Sequence, residues 1–405
     1  MKTADRLLRQ EKDAFAKIAA PCPYFGTCGG CTLQDLSYAD QLALKTQRLT
    51  RILGALDPTL TVEVVPLDDP WRYRNKAELT FAEGAPPNRT ALGYHAARSF
   101  WRIVDLEDCL LLPEAMGRIL CDVRSLANAA GQSAYNPRTH QGFFRYLLIR
   151  ASHATGQLLV CLMTTSGERS LIEPVADELL RRHPAITSFY WGVSTKVADV
   201  AIPDALSLIR GAAYLEDRIG PFALQLHPLN FLQPTPVQAE KMYATLSRWI
   251  GSHPDGTAWD VYCGIGLVGF YLASKFRTVY GIDVEPRNLE MARLNAQANR
   301  IDNIQFHVGR AEELFDNKRF WLGEAKPDVV VVDPPRSGLH GRVVASLLAA
   351  RPQQIVGLSC NTQTLARDLQ LLCSGFPRYR IAQVKAFDLF PQTNHLEVLT
   401  LLERV

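Results

Sequence analysis

Leu42, Leu44, Leu49, Ile52 and Leu53 recur at near-helical spacing with Lys45, Arg48 and Arg51 between them, a pattern that predicts an amphipathic helix. Downstream the rhythm shortens. Between Thr61 and Leu229 short strand-like runs, among them Val62–Val65, Glu78–Phe81, Tyr146–Ile149, Leu158–Cys161 and Ser188–Trp191, are separated by breakers such as Pro86-Pro87-Asn88 and Asn136-Pro137. They predict an α+β unit dominated by an antiparallel sheet. From Phe231 onward strands alternate with helical segments. Trp259–Tyr262 leads into a glycine loop, and Thr278–Asp283, Asp328–Asp333 and Gln354–Leu358 follow, which is the order of a parallel sheet covered on both faces. The expected fold class is α/β, a Rossmann-like domain joined to a smaller, mainly antiparallel α+β domain. The predicted units are a segment over 1–33, a helical segment over 34–66 packing on the carboxyl-terminal domain, a central domain over 67–230 and the Rossmann-like domain over 231–405.

Composition narrows the class without choosing a function. A chain of 405 residues is long enough for more than one core, and no stretch approaches the roughly 18 apolar residues of a membrane span. Met1–Gln10 alternates charges with leucine and lacks the apolar centre of a signal peptide, so a cytoplasmic protein with no membrane association is expected. The formal charge of +3 does not announce a nucleic-acid binder, and any basic surface must come from local concentration. Nine cysteines, an odd number, clustered at one end and scattered elsewhere, suit a reducing compartment and a metal site better than a disulfide framework.

The chemistry concentrates in the last third. Gly264 and Gly266, directly after a predicted strand, allow a tight turn and close backbone approach of a ligand, and Asp283 ends the next strand, placed to accept ribose hydroxyls. That spacing suits either a dinucleotide or S-adenosylmethionine. Asp333-Pro334-Pro335-Arg336 follows at the mouth of a later strand, where the prolines either end the strand or shape a site in which a methyl donor meets its acceptor. Cys360, between Ser359 and Asn361, lies after an apolar strand and before a predicted helix, whose dipole would favour the thiolate. Cys121, Cys161 and Cys373 lie in apolar segments and read as small core residues. Glu397 sits in the largely apolar Leu396–Leu402, where a carboxylate is costly without a partner or a task and burial would raise its proton affinity toward the range of a general base. A thiolate and a carboxylate together can make an unreactive aromatic carbon attack a methyl donor and then remove its proton, the chemistry of pyrimidine C5 methylation. Near the amino terminus, Cys22, Cys28 and Cys31 with their intervening glycines point to a metal site, zinc or a cubane cluster, and Cys109 is the nearest candidate for a fourth ligand.

Taken jointly, the run Cys22-Pro23-Tyr24-Phe25-Gly26-Thr27-Cys28-Gly29-Gly30-Cys31, the glycine loop, Asp333-Pro334-Pro335-Arg336, Ser359-Cys360-Asn361 and Phe390-Pro391-Gln392-Thr393-Asn394-His395-Leu396-Glu397 resemble the RNA uracil-5-methyltransferases that make 5-methyluridine in 23S ribosomal RNA and in the T-loop of transfer RNA. The resemblance spans nearly the whole chain. It implies a class I methyltransferase domain, a [4Fe-4S] cluster on Cys22, Cys28, Cys31 and Cys109, and S-adenosyl-L-methionine held by Gln233, Tyr262, Gly264, Gly266, Asp283 and Asp333. It further implies Cys360 as nucleophile and Glu397 as base. Pro234-Thr235, Tyr262, Leu267 and Arg310 depart from the usual family pattern. The short form without the amino-terminal TRAM barrel resembles the 23S ribosomal RNA branch, with transfer RNA as the alternative. A non-catalytic RNA-binding protein that keeps the fold is the competing class, and it predicts that Cys360 is dispensable. A monomer without an obligate protein partner is expected. For RNA contacts the sequence nominates Arg72, Arg74 and Lys76, which would form a basic row on one face of a strand, and Arg145, interleaved with Phe143, Phe144 and Tyr146.

Overall fold

The computed structural model describes residues 3–85, 90–316 and 326–405, so the breaker Pro86-Pro87-Asn88 lies outside the described residues. In chain order the strands are β1 (Glu63–Val65), β2 (Lys76–Glu83), β3 (Thr90–His95), β4 (Ile103–Asp105), β5 (Phe144–Ala151), β6 (Leu158–Thr164), β7 (Ile186–Val193) and β8 (Ala205–Gly211). They continue with β9 (Leu215–Ile219), β10 (Phe222–Leu226), β11 (His253–Val261), β12 (Phe276–Asp283), β13 (Ile304–Val308), β14 (Val329–Val332), β15 (Gln354–Ser359), β16 (Tyr379–Phe387) and β17 (Glu397–Arg404).

The carboxyl-terminal sheet has the order β1-β16-β17-β15-β14-β11-β12-β13, and only β17 runs against the others. The order reverses between β11 and β14, the topological switch point at which such sheets bind ligands. The valines of β14 show why this sheet needs two covers. Val329 and Val331 join a core with Met242, Leu246 and Phe270, whereas Val330 and Val332 pack with Val343, Leu347 and Leu369 on the opposite face. All four are buried, each contributing roughly 1.5–3 kcal/mol, so the strand reads as an unbroken apolar run rather than an alternation.

The amphipathic helix forms over Tyr38–Gly54, capped by Ser37 Oγ accepting from Asp40 N, and sends Leu49 and Leu53 into the same core as Val330. Val62–Val65 departs from its reading as one of the central strands and agrees with the expected unit over 34–66 that packs on the carboxyl-terminal domain. Glu63–Val65 adds an edge strand, parallel to β16, to the carboxyl-terminal sheet rather than to the central one, because the preceding helix already delivers the chain to that edge.

The central sheet has the order β4-β3-β2-β5-β6-β7-β8 and is antiparallel except for β6 and β7. Its alternation also sorts two cores. Leu147 and Ile149 pack under Glu114–Ala129 and Glu173–Arg182, while Tyr146 and Leu148 enter the core shared with the carboxyl-terminal domain. The ribbon β9-β10 contacts helices Pro236–Trp249 and Pro286–Ala298. No helix among the described residues is long and apolar enough to cross a membrane.

Candidate active site

Strand register brings the chemical groups to one edge of the carboxyl-terminal sheet. Ser359 pairs with Val398 in the antiparallel β15–β17 ladder, so the next step outward sets Cys360 opposite Glu397. In the parallel ladders Val261 pairs with Ile282 and Val332, which puts Tyr262, Asp283 and Asp333 at that same edge. Cys360, Glu397, Asp333, Tyr262, Gly264, Asp283 and Gln233 all line one cleft of about 1070 Å³.

The glycine loop is shaped for close approach. Gly264 and Gly266 have φ of 53° and 84°, and a Cβ at Gly264 would meet no atom within 4 Å. Tyr262 shares the left-handed region at φ 68° without a glycine's freedom, a strained setting at the edge of the cleft. Asp283 is already ordered. Its carboxylate accepts from Gly264 N at 2.9 Å, from Glu285 N at 2.8 Å and from Asn288 Nδ2 at 3.3 Å. Of the departures from the family pattern, Leu267 is buried in the core, and Arg310 is exposed beside Glu312 and Glu313.

Cys360 is half-buried in the turn before helix Thr362–Ser374, whose N-cap Asn361 accepts from Gln363 N at 3.1 Å. Asn361 Nδ2 and Thr364 Oγ1 both donate to the Arg336 carbonyl, locking this turn to the Asp333–Arg336 loop. The expectation that the helix dipole would favour the thiolate does not carry the balance of charge. Burial, then Glu397, push the thiol's pKa up, with Asp333 adding to them and the Arg336 guanidinium opposing. Glu397 is only 2 % exposed, and its Oε1 has no hydrogen-bond partner among the described residues. Burial, with Asp333 beside it, holds its proton well above the usual carboxylate range against the pull of Arg336, and burial raises Asp333 as well. Arg336 is therefore the cation common to Cys360 and Glu397. The only hint of it in the sequence is its place after the paired prolines.

The other end of the cleft is lined by Cys22, Cys28, Cys31 and Cys109. The first three lie in a loop pinned by Gly29 N donating to the His95 carbonyl and Ala97 N to the Thr27 carbonyl, and Cys22 N donates to Gln34 Oε1. Burial raises the thiols of Cys28, Cys31 and Cys109, Cys31 to about 12, and in each case neighbouring cysteines add to the rise. Among the described residues no three histidine, cysteine or acidic side chains are grouped to hold a single metal ion. All nine cysteines are free, with Cys161 fully buried and Cys121 and Cys373 half-buried.

The loop before Glu397 connects both ends. Thr32 N and Leu33 N donate to the Gln392 carbonyl, Asn394 N to Thr32 Oγ1, and Tyr73 Oη to the Pro391 carbonyl. Beneath it Lys45 and Asp388 form an ion pair at 2.7 Å with both side chains almost wholly buried, and Gln41 bonds the backbone and side chain of Gln392.

The basic row does not form. The strand begins only at Lys76, and Arg72 turns back at φ 51° to bond Asp108 and the carbonyls of Cys109 and Leu112. Arg74 and Lys76 do line the cleft, Lys76 paired with Glu78. Arg145 is 2 % exposed and spends its guanidinium on the Ser194 and Lys196 carbonyls, because β5 is a central strand buried on both faces. Phe143, Phe144 and Tyr146 are buried with it.

Residues 221–405 match the family model described as tRNA (Uracil-5-)-methyltransferase. An uncharacterised RNA methyltransferase of Halalkalibacterium halodurans is 32% identical over 402 residues, covering 98% of this chain and 86% of that protein. One from Listeria innocua is 32% identical over 409 residues, covering 99% and 88%. Among solved structures, the Pyrococcus abyssi tRNA (uracil-54, C5)-methyltransferase in complex with S-adenosyl-L-homocysteine superposes with a TM-score of 0.75 at 30% identity, covering 92% of this chain and 85% of that one.

Proposed function

Because the chain belongs to the tRNA (uracil-5-)-methyltransferase family, we propose that it methylates C5 of a uridine in RNA, with S-adenosyl-L-methionine as donor, Cys360 as nucleophile and Glu397 as base. The observation that carries this reading is the register opposing Cys360 and Glu397 beside the glycine loop. The open space over Gly264 and the ordered Asp283 carboxylate fit the donor's nucleoside half, Gln233, Tyr262 and Asp333 complete the set that would hold it, and Gly266 turns the loop behind the cleft, packed against Phe306, rather than lining it. Bound there, the donor supplies an electrophilic methyl group.

The residues then divide the work. The Cys360 thiolate adds to uracil C6, and the electron pair displaced onto C5 and O4 makes C5 the nucleophile that takes the methyl. Glu397 as carboxylate removes the C5 proton, and the C6–S bond breaks to return the Cys360 thiolate. Arg336 stabilises negative charge as it passes between these groups. The raised proton affinity of Glu397 suits a base working near neutrality. To enter the cleft the uridine must leave its stack, which favours a loop over a duplex.

Four half-buried cysteines face one cavity, and burial and neighbouring cysteines raise the proton affinity of Cys28, Cys31 and Cys109, which fits a cationic group that Cys22, Cys28, Cys31 and Cys109 would hold. A [4Fe-4S] cluster is what the sequence resemblance implies for that set, with zinc as the alternative. The cluster would tie the amino-terminal loop to the central domain. The sequence resemblance favours 23S ribosomal RNA as acceptor, and the tRNA substrate named for the Pyrococcus abyssi protein favours transfer RNA. A monomer acting in the cytoplasm completes the reading. Nucleoside mass spectrometry after incubating anaerobically purified protein with labelled S-adenosyl-L-methionine and each unmodified transcript tests it. Labelled 5-methyluridine in one RNA is expected, and absence of label in both, with cofactor bound, would overturn it.

A further inference from the structure

A second cleft, of about 1240 Å³, opens in the central domain between the tip of the β3–β4 hairpin and the loop over 131–141. At the hairpin tip Phe100 is 78 % exposed and Trp101 58 % exposed. Their exposure is built. Ala96 N donates to the Arg102 carbonyl at 2.7 Å, Ser99 N donates to the Ala96 carbonyl, and Ser99 Oγ accepts from the backbone N–H groups of both Trp101 and Arg102, so the turn holds the two rings outward. Neighbouring large aromatics presented this way by a hydrogen-bonded turn mark a binding surface.

The opposite wall supplies cations and a further ring. Arg138 lies over Trp101 at 5.3 Å, and Tyr135 stacks on the buried Arg145 at 4.1 Å. Asp199, in the floor, is engaged by Tyr146 Oη at 2.5 Å and faces His95 at 3.4 Å, so this carboxylate is already occupied. His95 borders both clefts. From it Ala96 and Arg98 face the catalytic cleft, and Ser99 to Arg102 face the second one. The hairpin tip is thus the ridge over which a strand leaving the catalytic cleft would pass.

We propose that this second cleft binds the single-stranded RNA flanking the target uridine, with bases stacked on Phe100 and Trp101 and phosphates met by Arg102 and Arg138. The proposal rests on the RNA-methylation reading and extends it to a second site. Stacking on a ring face tolerates any base, and guanidinium groups follow the backbone, so the groove adds affinity and register rather than sequence choice. It also places the RNA grip on residues other than Arg72, whose guanidinium is spent on Asp108 and backbone carbonyls, and Arg145, whose guanidinium is buried.

The test compares full-length wild type with Phe100→Ala/Trp101→Ala and with Arg138→Gln, using the transcript that wild type methylates and the shortest oligoribonucleotide from it that is still methylated. For the long RNA, Kd and KM rise on the order of a hundredfold in the aromatic variant, about tenfold for each of two stacked bases, while kcat, cofactor affinity and Tm stay at wild-type values. For the short RNA nothing changes, and ultraviolet cross-linking of wild type with the long RNA places a nucleotide on Phe100 or Trp101. Unchanged Kd for the long RNA overturns the proposal while wild-type methylation leaves the function standing. If wild type methylates neither RNA, the function falls. The groove is then judged by binding of a 20-nucleotide oligouridylate, where unchanged Kd in the variants overturns it too. Variants that alter only self-association, read by sedimentation, assign the patch to a second copy of the chain and overturn the RNA proposal.

Discussion

The two ends of the main cleft are built by different means. At the catalytic end, Tyr262, Asp283, Asp333, Cys360 and Glu397 sit one step beyond paired residues of a single sheet, so backbone ladders set their spacing before any side-chain contact forms. At the cysteine end, Cys22, Cys28 and Cys31 ride on a loop held by a few turns and by contacts to His95, Thr27 and Gln34, with Cys109 arriving from another segment. A ladder is cooperative and holds its edge whether or not a ligand is bound. A loop rests on fewer and less regular contacts, and two of its half-buried thiols, Cys28 and Cys31, are pushed up by burial and by their cysteine neighbours. The catalytic end is preorganised by the sheet, and the cysteine end is set by loop contacts.

The sharpest way to break this comparison is at Cys360. Cys360→Ala should lower single-turnover methylation on the order of 10⁴-fold or more with Tm unchanged, because the sheet positions the site without the thiol. Appreciable residual turnover would remove the nucleophile assignment, and a large fall in Tm would remove the preorganisation argument. Next in size is the buried pair under the loop that joins the two ends. Lys45→Met leaves Asp388 buried and uncompensated and should cost about 3–5 kcal/mol in urea unfolding. A cost under about 1 kcal/mol would mean that the loop does not rest on this pair.

At the cysteine end, Cys109→Ser should bleach the brown iron–sulfur absorbance and lower Tm, with methylation falling far less than in Cys360→Ala. A colourless wild type carrying stoichiometric zinc would overturn the cluster. The smallest effect tests the electrostatics of the catalytic end. Glu397 has a folded pKa above its ordinary value, so its contribution to stability is full at low pH and is lost as pH rises through the folded pKa. Glu397→Gln should therefore raise Tm by a few degrees, about 2 °C per kcal/mol relieved, at pH 8 and leave it unchanged only below the ordinary Glu pKa, at about pH 3.5, while product release stops and a covalent Cys360–RNA adduct accumulates. Equal Tm values for wild type and variant at pH 8 would show that the buried carboxylate carries no such cost.

Much of this was legible in the chain itself. The alternation of strands and helices after Phe231 gives the parallel sheet, and residues that end apolar strands, Asp283, Asp333 and Cys360, fall at its carboxyl edge because strand ends are local features of sequence. Which cations remain available is less legible: Arg74 and Lys76 line the cleft, whereas Arg72 and Arg145 do not. Arg72 and Arg145 look like surface cations in a list of residues, yet one folds back onto Asp108 and the other lies in a central strand covered on both sides. Arg336 was the converse, a residue with little local signal that the fold sets beside both Cys360 and Glu397.

Fold class, the order of the chemical groups and the cysteine cluster are written in the chain, because periodicity, strand ends and residue chemistry are properties of short stretches. Folding in three dimensions settles which cations are spent on internal carbonyls, that Glu63–Val65 pairs in the carboxyl-terminal sheet, and that the loop over 388–396 links the cysteine segment to Glu397. It also set Phe100 and Trp101 on a ridge between two clefts. Those outcomes depend on segments hundreds of residues apart competing for the same buried space and hydrogen-bond partners, a competition that no local pattern records.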